Sequence, residues 1–159
     1  MSFTHLDSSG HAHMVDVTAK QPTVRTATAR GFVRCSPEVI AALRDGTAPK
    51  GDVLAVARIA GIQAAKSTPT LLPLAHVIGV HRAGVELDVV DDGVHVEATV
   101  GTADRTGVEM EALTAVSVSA LAIVDMIKGM DRSVVIEDVR IVAKSGGRTG
   151  DWLREGETR

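Results

Sequence analysis

Lys144-Ser145-Gly146-Gly147-Arg148-Thr149-Gly150-Asp151 places two cations and three glycines directly after an apolar run at 134–143. Glycines let backbone N–H groups approach a phosphate closely, and the lysine and arginine supply the balancing charge. The stretch lacks the full spacing of a P-loop. Alone, it reads equally well as a solvated tail leaving the last strand. Two further segments share its chemistry: Lys50-Gly51-Asp52 sets a cation before a helix start, and Gly107-Val108-Glu109-Met110-Glu111 opens a long helix. Lys128 follows Asp125 at i,i+3 on that helix. The pair is either an ordinary surface ion pair or a lysine held by its carboxylate for proton transfer. His76 lies in a proline-punctuated apolar loop, where a structural and a catalytic role are both open. Glu109 and Glu111 are explained by the helix dipole alone. Lys50, next to a helix N-terminus, gains nothing from that dipole. Asp16 and Arg25, on facing extended segments, are placed to pair with each other. His11 and His13 alternate without an evident partner, so no metal site is expected.

The elements that must position these groups are read from periodicity. An extended stretch over 14–17 precedes a Thr- and Val-rich alternating run at 23–35, a long strand. Ser36-Pro37-Glu38 is an N-cap, an N1 proline and an acidic first turn, opening a short helix that stops near Gly46. Asp52 begins a second helix to about Lys66. Pro69 and Pro73 are then expected to break the chain into a loop around Leu74, Ala75 and His76. Alternating runs at 84–90 and 94–100 flank Asp91-Asp92-Gly93, a hairpin signal. A long helix over 108–128 and a strand over 134–143 complete the chain. The order strand, helix, strand, strand, helix, strand predicts an α+β, ferredoxin-like βαββαβ sandwich with an N-terminal extension and an extra short helix. One domain over 1–159 is expected, with mobile ends at about 1–12 and 146–159.

Composition limits the function. Hydrophobic residues make up 45% of the 159, enough for a core, but aromatics only 2%, with no tyrosine. Stacking platforms for nucleic acid need aromatics, and a net charge of -3 opposes general phosphate-backbone binding. No nucleic-acid partner is therefore expected. The single cysteine, Cys35, excludes an internal disulfide and reads as a buried inert thiol. No uncharged segment reaches spanning length and the N-terminus lacks a signal pattern, so no membrane association and a cytoplasmic location are expected.

On the long helix, Leu113, Val116, Ala120, Ile123, Val124 and Ile127 share a face that should cover the sheet. Met110, Glu111, Thr114, Val118, Leu121, Asp125 and Lys128 form another, apolar in the middle and charged at its ends, which suits a second subunit. Glu111 and Asp125 are fourteen positions apart, about 21 Å along a helix axis, so they cannot flank one reacting atom in one chain. Residue physics alone thus gives a homo-oligomeric α+β domain that binds an anionic ligand. A ligand sensor of the same fold would need no proton-transfer group.

Read together, His13-Met14-Val15-Asp16-Val17-Thr18-Ala19-Lys20, Lys50-Gly51-Asp52-Val53, Ala57-Arg58-Ile59-Ala60-Gly61-Ile62-Gln63-Ala64-Ala65-Lys66, Thr106-Gly107-Val108-Glu109-Met110-Glu111-Ala112-Leu113-Thr114-Ala115 and the Lys144 segment resemble the molybdenum-cofactor biosynthesis protein C family, the cyclic pyranopterin monophosphate synthases. Two departures stand out. Ala75-His76-Val77 replaces the family's usual Cys-His-Pro, and Arg148 replaces a lysine. The resemblance implies a lyase acting on a cyclised dihydroguanosine triphosphate, a GTP-derived substrate, to give a pyranopterin monophosphate and diphosphate. It implies catalytic roles for Lys50, Asp125 and Lys128, and substrate contacts from Leu74, Ala75, His76, Met110 and Glu111. Asp16, Arg25, Glu109 and Lys144 are implied to line the pocket. No cofactor is implied beyond Mg²⁺ that could accompany the triphosphate. The family's assembly is a homohexamer, a trimer of dimers with sites at dimer interfaces.

Overall fold

The structure, a computed structural model, describes residues 6, 7 and 9–158. Its elements run β1 (Thr23–Arg34), α1 (Pro37–Asp45), α2 (Val53–Leu71), β2 (Arg82–Val89), β3 (Gly93–Asp104), α3 (Glu109–Ile127), β4 (Val135–Ser145) and β5 (Trp152–Leu153). All strand pairs are antiparallel, in the order β2-β3-β1-β4-β5. The first four strands and their helices give the expected ferredoxin-like α+β arrangement.

Alternation decides which side of the sheet the helices cover. Ala27, Ala29 and Val33 of β1 and Val94, Val96, Ala98 and Val100 of β3 point into the core. Small residues on β1 let α3 come close: a Cβ on Gly31 would stand 2.8 Å from Val116 Cγ1. The other face is polar. The Thr28 and Thr99 hydroxyls meet at 2.9 Å and those of Thr26 and Ser145 at 2.7 Å.

α1 begins as expected, with the Ser36 hydroxyl accepting from Val39 N and Pro37 in the first turn, and ends at a left-handed Gly46. α2 does not stop near Lys66. It continues through Pro69 to Leu71. A proline at 69 leaves the Ala65 carbonyl without its helical donor, and the Thr68 hydroxyl donates to that oxygen at 3.1 Å and to Ala64 O at 3.3 Å. The lost bond is replaced from the adjacent side chain, so the proline is carried inside the last turn.

α3 has the length and mean hydropathy, 1.7, of a membrane span, yet one broad face of it forms the core, while Met110 and Leu121 stay exposed. Val116, Ala120, Ile123 and Ile127 are buried as expected, and Leu113 and Val124 are half-buried against them. A second flank is also buried, at Glu111, Ala112, Ala115 and Ser119, because α2 packs beside α3. The helices touch at Gly61: a Cβ there would lie 2.1 Å from Ser119 Oγ and 2.9 Å from the Ala115 carbonyl oxygen. Ser119 Oγ is held in place by donating to Ala57 O at 3.0 Å. Gly61→Val is therefore expected to destabilise the fold by about 1–3 kcal/mol through overpacking. A denaturant midpoint equal to the wild type's would show that the two helices can part at no cost.

The segment after Ser145 is not a loose tail. It turns through Gly146, Gly147 and Gly150, all at positive φ, and returns as β5, pairing Trp152 with Lys144 and Leu153 with Ala143. At the other end, Leu6 forms an isolated bridge with Ala12. The expectation of a mobile 1–12 falls partly outside the described residues. Cys35 is buried, and desolvation pushes its thiol up to about 11. That agrees with an inert thiol.

Candidate functional site

Lys50 is carried by a tight turn. Gly51, at φ 91°, donates its N–H to Ala48 O at 3.0 Å, a conformation that favours glycine. Asp52 then caps α2 by accepting from Ala55 N at 2.9 Å. The turn aims Lys50 away from α2 and onto the C-terminus of α3, where its Nζ donates to the Asp125 carbonyl at 2.8 Å and lies 3.4 Å from Asp125 Oδ2. The last carbonyls of a helix lack internal donors and carry partial negative charge, so this is a favourable place for a cation. It is not a site that the local sequence around Lys50 shows. Lys128, at the end of the same helix, places its Nζ 2.8 Å from Asp125 Oδ1. Two ammonium groups thus converge on one carboxylate. The hydrogen bond from Lys128, then that from Lys50, holds the Asp125 carboxyl below the usual carboxylate range. The cluster is open to solvent. It offers N–H donors and positive charge to an anion, and amines that can exchange protons with it.

At the opposite end of α3 a cavity of about 490 Å³ is lined by Leu74, Ala75, His76, Glu109, Met110 and Glu111, with Val15, Val17 and Lys20 from the N-terminal arm. His76 Nε2 lies 2.7 Å from Val15 O, tying the loop after α2 to that arm. Arg105 Nε donates to Lys20 O at 3.0 Å and fixes the arm's far end. A smaller cavity beside it, about 170 Å³, is lined by Arg25, Glu109, Lys144, Gly146 and Thr149. The two share Thr106, Gly107 and Glu109. Lys144 Nζ sits 3.0 Å from Glu109 Oε1. The structure therefore brings Arg25, Leu74, Ala75, His76, Glu109, Met110, Glu111 and Lys144 into one neighbourhood.

Three sequence-based placements change. Asp16 and Arg25 do not pair: Asp16 accepts from Thr18 N at 2.8 Å and from the Thr18 hydroxyl, while Arg25 Nε donates to Asp104 O at 3.1 Å. Asp16 lines neither cavity, although Val15 and Val17 on either side of it line the larger one. Glu111 is not an exposed contact residue but 3% exposed. Lys20, Thr106 and Thr149 join the lining without a place among the sequence-based candidates. All three lie in segments that carry the family resemblance, and Lys20 is in addition a cation closing the extended arm.

Burial pushes the Glu111 carboxyl up, and the neighbouring charge of Glu109 adds to this. Its own backbone N–H and His76 act the other way. A carboxyl raised in the folded state contributes its full stability below the ordinary carboxylate range and loses it as pH rises through the folded value. Glu111→Gln is thus expected to melt a few degrees above the wild type at mildly alkaline pH, with the gap closing in acid. A gap independent of pH would show that the carboxyl is not ionising under strain.

A larger cavity, about 740 Å³, lies on the open sheet face. Its arginines are spent internally. Arg30 binds Glu97 and Glu157, Arg34 binds Asp92 and Glu137, and Arg140 binds Asp138 and Glu157. It offers an anion less than the α3 ends do. Among the described residues, no three His, Cys, Asp or Glu side chains cluster as metal ligands.

The MoaC family model matches residues 14–147. The chain belongs to the MoaC family. All twelve candidate residues fall within the matched stretch. The chain is 56% identical over 154 residues to the cyclic pyranopterin monophosphate synthase of Nocardioides sp. (strain ATCC BAA-499 / JS614), covering 95% of this chain and 94% of that one. It is 59% identical over 151 residues to the synthase of the same name from Streptomyces griseus subsp. griseus, covering 95% and 85%. With that from Chloroflexus aurantiacus (strain ATCC 29366 / DSM 635 / J-10-fl) it shares 54% over 153 residues, covering 95% and 94%. The MoaC match ends inside the glycine loop, before β5.

Proposed function

We propose that this chain is a cyclic pyranopterin monophosphate synthase of molybdenum cofactor biosynthesis. It converts a cyclised dihydroguanosine triphosphate to the cyclic pyranopterin monophosphate and releases diphosphate. The carrying observation is the division of the candidate residues between the two ends of α3, one end bearing Lys50, Asp125 and Lys128 and the other a cavity with His76, Glu111, Arg25 and Lys144. The reaction needs both. Opening the nitrogen ring breaks a C–N bond and closing the pyran forms a C–O bond. Each needs protons delivered to or taken from the reacting nitrogen and oxygen atoms, a task suited to lysines held by a carboxylate. Attack of a sugar hydroxyl on the innermost phosphorus expels diphosphate, whose charge requires cations. In this reading Lys50 and Lys128 move protons, Asp125 holds them, and Lys144 and Arg25 meet the phosphates. No resident cofactor is called for. Mg²⁺, where it enters, enters with the triphosphate as part of the substrate.

The reading includes a homohexamer, a trimer of dimers, in which the cavity of one chain faces the lysines of its neighbour. Apolar side chains left exposed on the helices support association: Ile59 is 67% and Leu121 57% exposed. A cytoplasmic protein without nucleic-acid or membrane partners fits this role. The test is incubation of the purified protein with the cyclised nucleotide, following the pterin product and diphosphate together. Intact nucleotide after prolonged incubation would reject the reading, and tight binding without conversion would make the protein a ligand sensor.

A further inference from the structure

The glycine loop is pressed onto the start of β1. A Cβ on Gly146 would lie 2.2 Å from Val24 O, and one on Gly147 would lie 2.5 Å from Arg25 Nη1. One end of the loop is fixed by β4. The other end depends on β5, which is two residues long, too short to hold unaided. The chain beyond β5 continues the attachment. Arg154 donates its backbone N–H to Val142 O at 2.8 Å and its Nε to Ile141 O at 2.7 Å. Glu157 then closes the run. Its Oε2 accepts from Arg30 Nη1 at 2.7 Å, and its Oε1 accepts from Arg140 Nε at 2.7 Å and from Arg140 Nη2. Arg30 Nη2 also donates to Thr158 O at 3.2 Å.

The receiving pair is prepared. Arg30 is held by Glu97 and Arg140 by Asp138, and the Glu157 side chain is only 12% exposed between them. Charge-assisted, near-bidentate bonds of this kind are the strong ones. We propose that Glu157 is a positioning residue: it straps residues 152–158 to the open face of the sheet and thereby holds loop 146–150 against Arg25 and Lys144. Glu157 lies outside the matched stretch 14–147 and touches none of the candidate residues.

The strap is tested without substrate through Trp152, the chain's one tryptophan. Glu157→Gln is expected to increase acrylamide quenching of its fluorescence and to speed hydrogen exchange at 146–151, leaving β1 and β3 protected. The link to the site rests on the proposed reaction. There, Glu157→Gln is expected to raise KM for the cyclised nucleotide about tenfold, with kcat within about twofold, and Glu157→Asp, which keeps the charge, to recover part of the loss. Wild-type quenching and exchange in Glu157→Gln would overturn the strap. Increased quenching with an unchanged KM would overturn its link to the site. A wild-type protein that converts no nucleotide would reject the reaction alone, because quenching and exchange still judge the strap. Should Glu157→Gln give no soluble protein, a chain ended after Gly156, which removes the strap's anchor altogether, carries the same comparison.

Discussion

Lys128→Ala and Lys50→Ala are each expected to abolish formation of the pterin product while the far-UV circular dichroism and the melting profile stay close to wild type. The contrast comes from the geometry. Both ammonium groups act on one exposed carboxylate at the end of α3, and neither lies in the core. Exposed ion pairs of this kind contribute little to stability, whereas losing a group that transfers a proton costs about 10²–10⁴-fold in rate. Lys50→Ala also frees the Asp125 carbonyl, so a small increase in exchange at the last turn of α3 should accompany it. Lys128→Ala should not show that change. Wild-type turnover in either variant would remove that lysine from the mechanism.

Mixed oligomers give the second large effect. Glu111→Ala and Asp125→Ala chains, each expected to be inactive alone, should recover activity when refolded together. Glu111 lines the cavity at one end of α3 and Asp125 holds the lysines at the other, about 21 Å away by helical rise. If a pocket takes one end from each of two chains, random mixing produces some pockets carrying both substitutions and some carrying neither. Mixed oligomers verified by mass spectrometry yet as inactive as their parents would reject the shared pocket. So would a fully active monomer.

What is legible in the sequence is what neighbouring residues settle. Ser36 and Pro37 announce a helix start without help from elsewhere, Asp91-Asp92-Gly93 announces a hairpin, and the threonine–alanine alternation of β1 announces its two faces. The misreadings share a cause, a partner that the local pattern cannot supply. Pro69 looks like a stop because a proline normally is one, and only the hydroxyl of Thr68 makes it otherwise. Lys50 looks idle beside α2 because its partner, Asp125, is 75 residues away. Glu111 looks exposed when the wheel for α3 is drawn against a sheet alone, and α2 closes its other flank. The C-terminal segment looks loose because its anchors, Arg30 and Arg140, sit on strands that meet only in the folded chain. The site residues come mainly from the resemblance. Their types alone support an anion-binding surface, and the structure adds which of them meet.

The placement of the two clusters on one helix makes α3 a spacer as well as a core element. Substitution at a half-buried position such as Ser117 leaves the distance between Glu111 and Asp125 intact. Removing one residue between them would shorten it by only about 1.5 Å but turn one cluster relative to the other by about 100°. If the pocket is shared between chains as proposed, the lysines would then face away from it, even if the core repacked. On that reading, drift in side chains and drift in length have unequal consequences: a substitution on α3 leaves the two clusters in register, and a one-residue deletion does not.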